Sequence, residues 1–207
     1  MEKQSMNRYP PAFRDAIRFH GHVCPGLIIG YRVTKVAQSA FRVERSEDEE
    51  LVAIIENDAC SVDAIQVLLG CTLGKGNLIY RDYGKQVYTI ISRESNRAIR
   101  IALRSTVLGR PSETEALFQK AQKNEASAEE LRALGDFREK RMEELLQMDE
   151  ETLFKIEDVQ IDVPEKARIF KSVECRYCGE KVMEPRARIR DGKIACIPCS
   201  EEYTRGW

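Results

Sequence analysis

The stretch that organises this chain is FHGHVCPGLIIGYR, residues 19–32. It contains both histidines of the chain and one of its seven cysteines. Pro25 is favoured at the first position of a helix, and apolar residues recur behind it at helical spacing as far as Phe41. Two imidazoles and a thiol are ligands for a borderline-soft divalent metal. The stretch therefore predicts a helix whose entry presents metal ligands, although any one of the three could instead be a half-buried structural side chain.

Cys24 and Cys60 have the same predicted setting. Cys24 falls at or beside the N-cap of the helix that Pro25 opens, where unpaired amide donors and the helix dipole favour the thiolate. Cys60 follows a β-branched run, residues 51–56, that predicts a buried strand, and it precedes an apolar segment, residues 61–69, that predicts a second helix. Two thiols at helix starts can face one pocket, so we expect a mononuclear metal site assembled from distant segments.

The residues of that site would supply the soft donor atoms that a divalent transition metal prefers. We expect Cys24, His22 and Cys60 to hold the ion, zinc being one candidate, and an open coordination position to accept water or substrate. His20 would be either the fourth ligand or a proton carrier.

Two further residues could serve the same site. Asp63, in the first turn of the second helix, could orient a ligand or act as a general base. Lys75 lies in a glycine-rich segment, residues 70–76, and could stabilise a developing anion; the alternative is a solvated lysine in a tight corner. The segment is not a phosphate loop, because three residues rather than four separate its first glycines and a glycine follows the lysine. The candidate catalytic set is Cys24, Cys60, Asp63 and Lys75.

The rest of the core predicts an α+β fold with an antiparallel sheet flanked by helices. Alternating apolar residues in segments 86–93 and 97–104 predict a hairpin, and segment 154–163 predicts a further strand. We expect the core domain to span residues 1–168.

A helical arm is expected within that domain, at about residues 111–150. The segment is acidic and helical in pattern, and Ser127 with Glu130 forms a capping-box sequence. We expect the arm to pack on the core or on a second subunit.

The clearest metal signal lies near the end of the sequence. Two CxxC pairs, residues 175–178 and 196–199, are 17 residues apart and flank an Asp-Gly turn signal. Four thiolates close a tetrahedral shell, so the zinc they hold should be structural. A redox dithiol fits less well, because such pairs occur singly within a βαβ pattern. We expect a zinc-finger domain at residues 169–207, ending in a short helix after Ser200, with ligands Cys175, Cys178, Cys196 and Cys199.

Composition narrows the class of protein. With 43% hydrophobic and 32% charged residues, the chain is typical of a soluble globular protein. We expect no membrane span and no signal peptide, and hence a cytoplasmic protein with reduced cysteines. The net charge of −1 gives no general attraction to nucleic acid, although Arg186, Arg188 and Arg190 could form a local basic patch.

Two long stretches and the terminal finger carry a family resemblance. They are FHGHVCPGLIIGYR, residues 19–32, CSVDAIQVLLGCTLGKGNLIYRDYGK, residues 60–85, and the treble-clef-like finger, residues 175–199. With these pieces the chain resembles the FmdE family, which is named after a component of formylmethanofuran dehydrogenase. The resemblance implies an α+β core, a homodimer in which the finger often lies near a site of the partner protomer, and a metal or active-site cleft. The positions that match this cleft are His20, His22, Cys24 and Cys60, with Cys71, Asp63 and Lys75 nearby.

Competing functions follow from these features. The first is a metal-dependent enzyme, or an accessory subunit of a formylmethanofuran dehydrogenase-like oxidoreductase, that handles a small-molecule substrate. The second is a metal or redox sensor, or an adaptor to a larger molybdenum- or tungsten-dependent redox complex, whose thiols Cys24, Cys60 and Cys71 report oxidation or metal supply. Nucleic-acid recognition through the finger is the least favoured function, because the charge of the chain gives no general attraction to nucleic acid. The family's name does not establish a reaction, so enzymatic activity stays open.

Overall fold

The chain divides into two compact units, Met1–Lys166 and Ala167–Trp207. The structure is a computed structural model and describes residues 6–109 and 111–201. The short helix predicted after Ser200 falls largely on residues 202–207, which lie outside the described part.

Five strands form the sheet of the first unit, in the spatial order β2-β1-β3-β4-β5. The pairs β1–β3, β3–β4 and β4–β5 are antiparallel, as predicted, whereas β1 and β2 are parallel. The sequence prediction missed β2 because three residues are too few to show an alternating pattern. The sheet is therefore mixed rather than purely antiparallel. The strands are β1 (Leu51–Ile55), β2 (Leu78–Tyr80), β3 (Val87–Ser92), β4 (Arg97–Leu103) and β5 (Phe154–Val159).

Three helices cover one face of this sheet. They are α1 (Pro11–His20), α2 (Pro25–Phe41) and α3 (Ser61–Leu69), and the bounds of α2 and α3 are those that the sequence predicts. Burial of large apolar side chains between helices and sheet stabilises the fold by roughly 25 cal/mol per Å² of apolar surface removed from water. Fully buried members of this core are Phe13, Leu27, Ile28, Ile65, Leu69, Tyr88, Ile90 and Ile101.

The other face of the sheet is covered by the chain that follows β5. Ile161 and Val163, predicted as part of a long strand, instead pack on a buried apolar cluster of this face. The Arg93 guanidinium donates to the carbonyl oxygen of Pro164 and so fixes the returning segment. The cluster comprises Val52, Ile54, Ile91 and Ala98.

The predicted arm consists of α4 (Ser112–Gln122), α5 (Ala128–Gln147) and the short α6 (Glu150–Leu153). The predicted capping box is present at Ser127 and Glu130, whose side chains each accept from the other residue's backbone N–H. At the far end of α5 the buried guanidinium of Arg32 donates to the carbonyls of Leu145 and Leu146. These carbonyls belong to the last turn, where a helix lacks internal partners, so Arg32 anchors the arm to α2.

In the described part of the chain, no helix combines the length and the apolar composition that crossing a bilayer requires.

The second unit contains two short hairpins. The first pairs β6 (Ser172–Glu174) with β7 (Lys181–Met183), and the second pairs β8 (Arg188–Arg190) with β9 (Lys193–Ala195). Gly179 follows the first CxxC pair at φ +77°, a left-handed conformation that suits glycine. The buried cluster is small and contains Cys175, Ala195 and Cys196. Such a core supplies little burial energy, so the unit depends on its metal ligands.

Candidate metal centre

His20 is the last residue of α1, and it is fixed by a partner far along the chain. Its Nδ1 lies 2.7 Å from Oδ2 of Asp63, on α3. The His20 side chain is 11% exposed, so this bond holds a largely buried ring. An Nδ1–H that donates to the carboxylate leaves the lone pair on Nε2, which is the arrangement found in carboxylate–histidine–metal groups. Asp63 thus takes the orienting role that the sequence suggested for it.

Cys24 is the N-cap of α2, as predicted. Its Sγ accepts from the backbone N–H of Leu27 at 3.3 Å and lies 3.8 Å from Nε2 of His20. Burial raises the pKa of the Cys24 thiol, the Leu27 amide lowers it, and the neighbouring Cys60 thiol raises it further. The net shift is upward because burial outweighs the amides of the helix N-terminus, which lower the pKa as the sequence predicts. A divalent cation in contact with the sulfur would reverse this balance.

Cys60 is the N-cap of α3, but its thiol makes no capping hydrogen bond. A buried polar network fixes the backbone around it. The Asn57 side-chain oxygen accepts from the Ala59 N–H and lies 3.2 Å from Oγ of Ser61, and the Tyr88 hydroxyl lies 2.7 Å from the same Oγ. None of these bonds uses the Cys60 sulfur, which lies beside the Cys24 thiol.

Two glycines of α2 bring the cysteines together. A Cβ added at Gly26 would lie 3.1 Å from Cβ of Cys60 and 3.9 Å from Sγ of Cys24, so this position lies between the two thiols. A Cβ added at Gly30, one turn later, would overlap the carbonyl oxygen of Ser61. A side chain at Gly30 would push α2 away from the start of α3, and one at Gly26 would crowd the Cys60 side chain. The close crossing of these helices therefore places Cys24 beside Cys60.

The result is a cluster of three soft donors from three segments. One donor atom each of His20, Cys24 and Cys60 lie within 4.8 Å of one another. One nitrogen and two sulfurs suit zinc or a similar divalent ion, and a tetrahedral ion would keep one position open.

His22, one of the three ligands predicted first, does not join this cluster. Its side chain is exposed, and its ring lies beside that of His20, with centroids 4.5 Å apart. Gly21, at φ +95°, ends α1, and the chain then turns toward α2 with His22 on the outside of the corner. His20, predicted as the fourth ligand or a proton carrier, is therefore the candidate histidine ligand.

A cavity of about 400 Å³ opens onto the cluster. His20, Cys60 and Asp63 line one side of it, and Asp58 and Tyr80 are also in its wall. The remaining lining is largely apolar and comprises Ile55, Ala59, Val62, Leu73 and Leu78, with Gln66.

Lys75 does not take the predicted role of an anion stabiliser. Its ammonium donates to the carbonyl oxygens of Ser46, Glu47 and Asp48 at 3.2, 3.1 and 2.7 Å. An ammonium has three N–H donors, so none is left for a substrate. Lys75 instead holds the loop that precedes β1.

Cys71 is a core residue. Its side chain is fully buried among apolar neighbours, and burial raises the pKa of its thiol to about 12. A thiol of this kind is neither a reactive sensor nor a metal ligand.

The second unit holds the other cluster. Sulfur atoms of all four of its cysteines lie within 4.8 Å of one another. Hydrogen bonds from backbone N–H groups, that of Cys178 first, lower the pKa of Cys175 to about 6. The four are Cys175, Cys178, Cys196 and Cys199, as the sequence predicts.

Sequence reasoning missed the groups that hold Cys60 in place. These groups are Asn57, Ser61, Tyr88 and Gly30. An isolated Tyr in a β-branched strand and a glycine inside a helix give weak signals, since packing and function are equally common explanations.

Comparison with known proteins agrees with both units. Residues 19–155 match the family model described as "FmdE, Molybdenum formylmethanofuran dehydrogenase operon". Residues 168–205 match the model described as "Prokaryotic dksA/traR C4-type zinc finger".

Two individual proteins are similar to this chain. A curated protein of Archaeoglobus fulgidus, "Probable S-adenosyl-L-methionine-binding protein", is 35% identical over 195 residues, 91% of this chain and 52% of that protein. The chain therefore spans about half the length of this curated relative. A crystal structure of a tungsten formylmethanofuran dehydrogenase FmdE-like protein from Syntrophus aciditrophicus superposes with a TM-score of 0.58. It is 22% identical and the match covers 94% of this chain and 91% of the other, which shows a shared fold.

Proposed function

The chain belongs to the FmdE family, and on that premise we propose that its first unit is a metal-dependent enzyme or part of one. His20, Cys24 and Cys60 would hold one divalent transition ion, with zinc as the first candidate. The four cysteines of the second unit would hold a structural zinc.

One observation carries the proposal. Three soft donor atoms from separate elements lie within 4.8 Å of one another, and the imidazole among them is held by a carboxylate through its other nitrogen. The other nitrogen, Nε2, faces the Cys24 sulfur at 3.8 Å, as expected of a histidine positioned for metal binding. Three protein ligands and an adjoining cavity are typical of catalytic zinc sites, whereas closed four-ligand shells are structural.

The bound ion would act as a Lewis acid and lower the pKa of a water in its open position. The chain's own residues supply the rest. Asp63 keeps His20 in the tautomer whose Nε2 faces the thiols, through its Oδ2. Asp63 also lines the cavity, and among the described contacts none engages its Oδ1, so this oxygen could accept a proton from a ligand.

S-adenosylmethionine is a small molecule to try in this cavity. The name of the curated relative attributes binding of that molecule to a protein of which this chain covers 52%. The cavity is lined by apolar groups and a few polar ones, as small-molecule sites usually are. Isothermal titration of the metal-loaded chain would test the idea directly.

The metal proposal is tested by counting metals in the full-length chain. We expect about two divalent ions per chain in the wild type, one for each cluster of donors. Cys24→Ser and Cys60→Ser should each lose one ion and keep the other. Cys175→Ser should lose the ion of the second unit and keep that of the first.

Cys71→Ser is the matched control, because Cys71 is a cysteine of the same unit that lies in the apolar core. It should keep both ions. A wild-type chain with one ion, unaffected by Cys24→Ser or Cys60→Ser, would end the proposal.

A further inference from the structure

The wall of the cavity beside the cluster has an uneven charge. Two of its lining residues, Asp58 and Asp63, carry carboxylates, and none of its lining residues is a lysine or an arginine. Asp82, two residues after Tyr80, lies close enough to the Tyr80 hydroxyl to raise its pKa. Neither Asp58 nor Asp82 forms an ion pair with a described residue.

The solvent side of the cavity is aromatic and apolar. Tyr80 is 43% exposed and Leu73 is 70% exposed, and both line the cavity. An exposed aromatic ring flanked by carboxylates is a favourable surface for an organic cation, because the ring face and the carboxylates attract the same charge. Partial desolvation, the hydrogen bond to Asp82 and the charges of Asp58 and Asp82 all raise the pKa of Tyr80.

The basic residues of the adjoining loop leave this charge in place. Arg81 and Lys85 do not line the cavity, and the Lys85 ammonium lies over the ring of Tyr83, 5.9 Å from its centroid. Nor would a bound divalent ion reverse the sign, because its two charges are matched by the thiolates of Cys24 and Cys60. The negative charge of the lining carboxylates, Asp58 and Asp63, therefore persists with or without the ion.

We propose that this cavity selects an organic cation, an amine or an onium compound, whose charged group lies against Tyr80 between Asp58 and Asp82. The proposal rests on the site named above and adds the class of its ligand. Anionic substrates are disfavoured at this entrance, and neutral ones gain no attraction from the carboxylates.

Cys60 offers a direct test, since it lies in the cavity wall and its sulfur can be labelled. The full-length chain, with its first metal site emptied by chelation, is treated with 2-(trimethylammonium)ethyl or with 2-sulfonatoethyl methanethiosulfonate. These reagents are similar in size and opposite in charge. Peptide-resolved mass spectrometry gives the labelling rate of Cys60 with each reagent. The ratio of the cationic to the anionic rate is then divided by the same ratio measured for 2-mercaptoethanol in the same buffer.

We expect the normalised ratio to favour the cationic reagent about tenfold at low salt, and to fall as salt is added. Asp58→Asn and Asp82→Asn should each lower it about threefold. Asp136→Asn, an exposed carboxylate on α5, is the matched control and should leave it unchanged.

A normalised ratio near one, or one in favour of the anionic reagent, overturns the proposal. So does a high ratio that neither Asp58→Asn nor Asp82→Asn lowers. Because the labelling needs no bound ion, its failure is separate from that of the metal proposal, which is decided by metal counts alone.

Discussion

The two donor clusters of this protein are built in opposite ways. In the second unit, four cysteines come as two local CxxC pairs and can close a shell around a metal. In the first unit, His20, Cys24 and Cys60 come from three elements. They would leave a tetrahedral ion with one coordination position that no protein ligand fills. The second unit has only a small buried cluster, so we expect its folding to depend on metal binding, whereas the first unit has a large apolar core. A site that is not needed for folding is free to serve chemistry.

Loss of the finger metal should have the largest effect. Cys175→Ser breaks a shell whose metal-binding free energy is about 10 kcal/mol or more, and the small core of the unit cannot replace it. We expect hydrogen exchange in residues 172–199 to approach that of an unfolded peptide. Cys24→Ser, the control in the other cluster, should leave exchange in helices α2 and α3 slow. Fast exchange there in Cys24→Ser would remove the contrast between the two sites.

Gly30→Ala should show that the core site depends on helix packing. The added methyl group would overlap the carbonyl oxygen of Ser61, so we expect a loss of about 3 kcal/mol in the free energy of unfolding and weaker metal binding at the core site. Denaturant unfolding and metal titration give the two quantities.

Gly135→Ala is the matched control for this change. Gly135 lies on α5 with nothing within 4 Å of an added Cβ, so alanine should stabilise the chain by up to about 1 kcal/mol. A tolerated Gly30→Ala, with unchanged metal affinity, would mean that the crossing of α2 and α3 does not position the cysteines.

Asp63→Asn should separate orientation from ligation. The variant keeps a side chain of similar shape but weakens the bond to His20 Nδ1, so we expect the affinity for the core metal to fall about tenfold. The affinity of the finger should not change. Asp58→Asn lines the same cavity without contacting His20 and should alter the metal affinity much less. Equal losses in the two variants would point to general electrostatics instead of a fixed imidazole.

Tyr88→Phe should have the smallest effect of the series. It removes a buried hydroxyl that lies 2.7 Å from Ser61 Oγ, and we expect a loss of about 1 kcal/mol in core stability. Thermal unfolding measures the change. Tyr177→Phe, which removes an exposed hydroxyl from the finger, should be nearly neutral. A neutral Tyr88→Phe would indicate that the network under Cys60 is not required to hold it.

Local signals in the sequence were enough for the helix bounds discussed here and for the ligands of the finger. Pro25 and the apolar spacing behind it set the bounds of α2, and Ser127 with Glu130 set the start of α5, because caps and periodicity act within a few residues. The finger's donors were predicted in full for the same reason: each pair of cysteines lies within one turn, and the spacing itself encodes the tetrahedral shell.

The core site was predicted only in outline, and tertiary structure decided the rest. The sequence placed His20, His22, Cys24 and Cys60 among its candidates, but not which histidine faces the thiols, nor that Lys75 is occupied by the loop before β1. Those choices depend on how α2 crosses α3 at Gly30 and on a contact between His20 and Asp63, 43 residues apart. Contacts between residues so far apart in sequence arise when whole elements pack together, and the spacing of residues along the chain does not predict them.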